Sequence, residues 1–147
     1  MIAIVIICAV LVAIVAAAAY VRLAPSDPAR WHTEPDPVAI TDCTRLTTTP
    51  DGARVSCLHD LDPAALLARL DSIALATPRT TRLAGSAESG RITWVTRSLL
   101  WGFPDYTTAQ ATLTPQGTRL DVHARLRFGR SDLGVNAARL GAWLGAL

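Results

Sequence analysis

The segment Thr118–Phe128, Thr-Arg-Leu-Asp-Val-His-Ala-Arg-Leu-Arg-Phe, carries the clearest structural pattern in the sequence. Because side chains of a β-strand point alternately to opposite faces, this alternation predicts a strand with one apolar and one polar face. The apolar face carries Leu120, Val122, Ala124, Leu126 and Phe128, and the polar face carries Arg119, Asp121, His123, Arg125 and Arg127. We therefore expect a sheet that buries one face and leaves the other in water.

The segments around this strand predict an α+β domain over residues 38–147. Asp62 is suited to cap a helix that begins at Pro63, because Leu66, Leu67, Leu70 and Ile73 then recur at helical spacing. A last helix is expected after Ser131 or Asp132. Strands are predicted at 53–58, 79–84, 90–98, 106–113 and 118–128, which gives an antiparallel sheet in the order β-α-β-β-β-β-α with both helices on one face.

The N-terminal segment, residues 1–22, predicts a transmembrane anchor. Residues 2–21 contain no charged side chain, and about twenty helical residues match a hydrocarbon core about 30 Å thick. Cleavage after Ala19 is the alternative, although no basic residue precedes the apolar run. A Pro-rich connector, residues 23–37, follows the anchor, and its Trp31 is expected to rest on the domain or at the membrane interface.

Cys43 and Cys57 are candidates for a disulfide, because the turn-like stretch 47–52 between them could bring the two thiols together. The alternative is a pair of unrelated buried thiols. A disulfide favours the outer, periplasmic side of a cell membrane, since such bonds persist in oxidising compartments. Arg22 and Arg30 after the apolar run argue for the cytoplasmic side. We favour a single-pass protein with its domain outside.

The composition gives little support for several classes of function. The formal net charge is only +2, whereas a nucleic-acid partner usually requires a concentrated basic field. The histidines and cysteines have no metal-ligand spacing, so we expect no metal site. No phosphate-binding glycine loop or other cofactor motif is present, and we expect no cofactor.

The polar face of the Thr118–Phe128 strand is a candidate anion-binding surface. Guanidinium groups of Arg125, Arg127 and Arg130 could bind phosphate or carboxylate, with His123 beside them. Ordinary cross-strand salt links are the alternative, and the sequence favours them. Ser131 and Asp132 could cap the last helix, or its free amides could complete an anion site with the arginines.

The segment Arg125–Arg139 resembles the signature of the bacterial domain-of-unknown-function family 1499. The matching residues are Gly129, Ser131, Asp132, Gly134, Asn136 and Arg139, together with a Phe103-Pro104-Asp105 turn. The resemblance covers roughly residues 35–147 and implies a membrane-anchored domain without an assigned activity.

The apolar stretch Leu99–Phe103 is a second candidate surface, because Trp101 and Phe103 could contact a bilayer or a membrane protein if they are not buried in the core. The sequence as a whole predicts non-catalytic binding of an anionic envelope ligand or lipid headgroup. The alternatives are an envelope hydrolase using His123 with Asp121 or Asp132, and an assembly module that contacts a membrane protein. No nucleophile stands at a meaningful spacing from His123, which favours a binding function.

Overall fold

A computed structural model describes all residues, 1–147. The helices are α1 (Ile2–Leu23), α2 (Pro28–Trp31), α3 (Pro63–Ala76) and α4 (Val135–Gly145). The strands are β1 (Ile40–Thr41), β2 (Thr47–Thr49), β3 (Gly52–His59), β4 (Thr80–Ser86), β5 (Arg91–Arg97), β6 (Pro104–Thr114) and β7 (Gly117–Leu126). The predicted α+β fold with an N-terminal apolar helix is confirmed.

The strands form one seven-stranded sheet with the order β1-β3-β7-β6-β5-β4, and β2 pairs with β3. All neighbouring pairs are antiparallel except β1 and β3, which are parallel. The sheet is therefore mixed, whereas the sequence predicts an antiparallel one. The prediction missed β1 and β2 because two- and three-residue strands carry no measurable alternation.

The apolar face of the sheet is covered by α3 and α4. Leu66, Leu67 and Leu70 of α3 are fully buried against it. Asp62 caps α3 as expected, since its carboxylate accepts from the Ala64 and Ala65 amides. The ring of Trp143 on α4 packs edge-on against Trp94 of β5, with ring centroids 5.6 Å apart. Both long helices of the domain thus lie on one face.

The start of α4 differs from the prediction. The helix begins at Val135, because Gly134 adopts a left-handed conformation with φ of 81°. That conformation interrupts the helical path and suits a glycine. The Ser131-Asp132 pair therefore lies in the loop before the helix.

Candidate functional site

The polar face of the sheet is covered by the connector, which corrects the expectation that it is open. Trp31 of α2 is buried and stacks on Tyr106 of β6, with ring centroids 3.9 Å apart and planes inclined by 8°. The Arg125 guanidinium lies 5.3 Å from the Trp31 ring centroid and donates to the Trp31 carbonyl. Thr108 donates to the same carbonyl. Trp31 therefore rests on the domain and fixes the connector to the sheet.

Polar contacts extend this attachment along the connector. The His32 ring Nδ1 lies 2.9 Å from the Thr93 hydroxyl, and directly after the connector the Val38 amide donates to the Ser56 hydroxyl at 3.1 Å. Carboxylates of the connector meet arginines of the sheet, with Glu34 at 3.8 Å from Arg91 and Asp36 at 3.5 Å from Arg54. The connector thus supplies both the cover and the counter-charges of this face.

Two of the three arginines predicted to bind an anion contact the connector, and the third does not. Arg125 donates to Trp31 and Thr33, and Arg127 donates to the Pro25 carbonyl at 2.8 Å and the Tyr106 hydroxyl at 3.2 Å. Arg130 is exposed and makes no hydrogen bond or ion pair in the structure. Arg125 and Arg127 therefore serve chiefly to attach the connector.

His123 is buried beneath the connector. The pKa of His123 is lowered to about 4, chiefly by desolvation on burial and in addition by the charges of Arg54 and Arg125. The neighbouring Asp121 carboxylate accepts from Ser56 and Arg119, and no hydrogen bond joins it to His123. The two residues share a face without forming an acid–base pair.

The family-like motif forms a polar network at the start of α4. Asp132 accepts from the Gly134 and Asn136 amides, each at 2.9 Å. Burial acts to raise the pKa of Asp132, but the hydrogen bonds from these two amides outweigh it and hold the pKa below its usual value. The amides that could have received an anion are therefore occupied by a carboxylate. Ser131 accepts from Leu133.

The predicted Phe103-Pro104-Asp105 turn lies where β6 begins at Pro104, and it joins this network although it is about thirty residues away in the sequence. Asn136 donates to the Asp105 carboxylate at 3.3 Å, and Arg139 lies 3.6 Å from the same carboxylate. Desolvation raises the pKa of Asp105, Asp132 adds to the rise, and Arg139 opposes it. Both parts of the motif thus meet in space and hold α4 against β6.

A second group of arginines lines a cavity of about 460 Å³ beside the end of α1. Arg22 of α1 donates to the Leu100 carbonyl at 2.7 Å, Arg79 to the Arg97 carbonyl at 3.0 Å, and Arg97 to the Gly102 carbonyl at 2.9 Å. The ion pairs of the structure all involve other arginines. These three guanidinium groups therefore lack an acidic partner.

Sequence reasoning missed this cavity. Arg79 and Arg97 stand at the ends of the β4–β5 hairpin, so its register could have placed them together. Arg22 lies on a different element, and only the tertiary structure brings it to them. Arg79 also has a left-handed backbone with φ of 62°, which is unusual for a residue with a side chain.

The loop between β5 and β6 contacts the C-terminal end of α1. Trp101 and Phe103 line an apolar cavity of about 260 Å³ together with Ala17, Ala18 and Val21. Tyr20 of α1 packs edge-on against Phe128, with ring centroids 6.0 Å apart. Trp101 and Phe103 therefore lie outside the main core and beside the apolar helix.

Cys43 and Cys57 form a disulfide with Cα atoms 5.2 Å apart. The bond ties the segment after β1 to β3. No group of three or more His, Cys, Asp or Glu side chains in the structure could hold a metal ion.

A family model matches residues 22–147, which include the whole connector and domain. The chain belongs to the family described as protein of unknown function, DUF1499. The matched region includes the Phe103-Pro104-Asp105 turn and the start of α4, so the resemblance seen in the sequence is confirmed. No curated protein and no solved structure matches the chain significantly.

Proposed function

We propose that this DUF1499 protein is a membrane-anchored, non-catalytic domain that binds an anionic group beside the end of its anchor. The observation that carries the proposal is the cavity of Arg22, Arg79 and Arg97, whose guanidinium groups have no acidic partner. The ligand is a phosphate or carboxylate group, either on a lipid headgroup or on another envelope molecule.

The bonding capacity of the three arginines supports this proposal. A guanidinium carries five N–H donors in a planar fork, and each of these three uses one donor on a backbone carbonyl. The remaining donors can bind phosphate or carboxylate oxygens in pairs. Thr81 and Ser98 add hydroxyl groups to the cavity lining.

The apolar helix α1 supports the membrane location. It has 22 residues, an 18-residue stretch of it has a mean hydropathy of 3.2, and none of its residues is buried in the domain. A signal sequence has the same properties, and the N-terminus of the mature protein distinguishes the two. We expect the mature protein to keep Met1 or Ile2 and to remain in the membrane fraction after a carbonate wash. A soluble product that begins at Tyr20 would contradict the anchor.

The Cys43–Cys57 disulfide supports a domain on the outer side of the membrane, because such bonds persist in oxidising compartments. In cells treated with an alkylating reagent, we expect both thiols to resist modification until a reductant is added. Closing a loop of this length contributes about 3 kcal/mol in the chain-entropy picture. Free alkylation of both cysteines in the folded protein would place the domain in the cytoplasm.

A calorimetric titration of the full chain in detergent micelles tests the anion site. The probes are a short-chain phosphatidylglycerol and inorganic phosphate, which distinguish a lipid headgroup from a free anion. We expect binding that weakens as salt rises, and a loss of about tenfold in affinity in Arg97→Gln or Arg79→Gln, because each loses a charge-assisted hydrogen bond.

Arg69→Gln is the matched control, since it removes the same charge from the exposed side of α3, where Arg69 reaches Ala146. Equal affinities in Arg97→Gln, Arg79→Gln and Arg69→Gln would reject the cavity as the binding site. Binding of phosphatidylglycerol without binding of phosphate would assign the site to lipid.

A further inference from the structure

We propose that the loop Leu99–Phe103, here called the tip, inserts into the interfacial region of the bilayer beside α1. This surface recognises lipid acyl chains and glycerol backbone through apolar contact. It goes beyond the proposed anion site, because the tip carries no charged side chain and its Trp101 and Phe103 line a different, apolar cavity.

The tip exposes more apolar surface than a loop in water favours. Leu99 is 76% exposed, Leu100 is 74%, Trp101 is 42% and Phe103 is 38%. Contiguous apolar patches of this kind mark protein or membrane contacts. Trp101 is also the type of residue that concentrates at the boundary between acyl chains and headgroups.

The position of the tip along α1 indicates a bilayer as its partner. Trp101 and Phe103 face Ala17, Ala18 and Val21, which lie within the last two turns of the helix. Ala17 is about 9 Å along the axis from Leu23, given the helical rise per residue. If α1 spans the membrane, the tip lies at the depth where the apolar core meets the headgroups.

The contacts of the tip with α1 hold it at this depth. Arg22 donates to the Leu100 carbonyl at 2.7 Å, so the last turn of the helix is joined directly to the loop. Gly102 lies under the Arg22 side chain, with a φ of 73° that a side chain would strain. The loop and the helix end therefore approach the membrane as one unit.

A second loop widens the same surface. Leu133 is 92% exposed and Val135 is 54% exposed, both at the start of α4. Phe128 lies between the tip and α1, because its ring is 6.1 Å from that of Phe103 and 6.0 Å from that of Tyr20 between ring centroids. The second loop adjoins the tip, because Val135 lines one cavity with Phe103 and Phe128. The bilayer next to α1 covers all of these side chains at once, without a second protein.

Trp101 provides a specific probe of insertion. The other three tryptophans are buried, with exposures of 8% for Trp31, 0% for Trp94 and 2% for Trp143. Full-length protein is placed in phosphatidylcholine nanodiscs whose acyl chains are brominated close to the headgroup. We expect these lipids to reduce the Trp101 fluorescence about twofold relative to unbrominated lipid, and to leave Trp101→Phe unchanged.

Three further results separate the alternatives. Quenching by aqueous iodide without quenching by brominated lipid would place the tip in water and overturn the proposal. Protection from both quenchers would indicate a second protein copy over the tip and would overturn it equally. The Arg79→Gln variant should retain lipid quenching, because Arg79 donates to the Arg97 carbonyl and makes no hydrogen bond to the tip, so failure of the anion site and failure of insertion are distinguishable.

Discussion

The arginines on the polar face of the sheet and those in the cavity beside α1 differ in the protein groups that they already contact. On the sheet face, Arg54, Arg91, Arg125 and Arg127 meet carboxylates or carbonyls of the connector. At the end of α1, Arg22, Arg79 and Arg97 meet only single backbone carbonyls, and no carboxylate lies within ion-pair distance. Both groups look alike in the sequence, yet only the arginines of the second group have neither a carboxylate nor the connector as a partner.

This contrast shows that the ability of an arginine-rich surface to bind an anion depends on whether its guanidinium groups already have partners in the protein. The connector places Glu34 and Asp36 over the sheet arginines, so an added anion would compete with bonds that already exist. The cavity beside α1 offers unpaired donors at the level where headgroups are expected. The comparison requires that the sheet face is closed and that its arginines are structural.

The largest expected effect follows from removing the residue that fixes the connector. Trp31→Ala should lower the free energy of unfolding by about 3 kcal/mol, because a buried ring stacked on Tyr106 is lost. Denaturant unfolding of the micelle-solubilised chain, followed by near-ultraviolet circular dichroism, measures the change. Trp101→Ala is the control and should change stability by less than about 0.5 kcal/mol, because its ring is partly exposed. Equal effects would mean that the connector does not cover the sheet.

The pH dependence of stability at His123 tests whether the connector covers the polar face of the sheet. The pKa of His123 is lowered to about 4, whereas in the unfolded chain it is about 6.5, so the unfolded state binds the proton first. The contribution of neutral His123 is complete above pH 6.5 and is lost as the pH falls towards 4. We expect the melting temperature of the wild type to drop between pH 7 and pH 5 more than that of His123→Gln. Parallel pH profiles would indicate a solvated His123 and an open face.

A smaller effect is expected at the start of α4. Asp132→Ala should cost about 1 kcal/mol, because the Gly134 and Asn136 amides lose their acceptor. The same variant should bind phosphatidylglycerol as the wild type does, since the cavity of Arg22, Arg79 and Arg97 is unchanged. Asp132→Asn keeps an acceptor and should lose less stability. A gain of anion binding in Asp132→Ala would show that the helix amides can form an anion site.

The sequence predicts the parts of this fold that depend on local pattern. Alternation in β7 correctly places Leu120, Val122 and Ala124 in the core, although the strand ends at Leu126 and not at Phe128. Asp62 with Pro63 marks the start of α3. The start of α4 was placed too early, because its position depends on the left-handed backbone of Gly134. That conformation is favoured by glycine but is not dictated by it.

The candidate sites depend on contacts that no local pattern encodes. The connector has no periodicity, so its course over the sheet could not be read from its prolines, although Trp31 was a candidate for docking on the domain. The Arg22, Arg79 and Arg97 cavity joins three elements, and only the Arg79–Arg97 part follows from hairpin register. The abundance of arginine predicted an anion site at Arg125, Arg127 and Arg130. The contacts in the structure favour a different place, the cavity of Arg22, Arg79 and Arg97.

The most direct test of the account is to observe the arginine side chains during ligand binding. Nitrogen-15-labelled full-length protein in micelles is titrated with short-chain phosphatidylglycerol, and the Nε–Hε signals are assigned with single Arg→Lys variants. The account predicts that the signals of Arg22, Arg79 and Arg97 shift with ligand, while those of Arg125 and Arg127 stay in place. Shifts confined to Arg125 and Arg127, or no shift in either group, would contradict it.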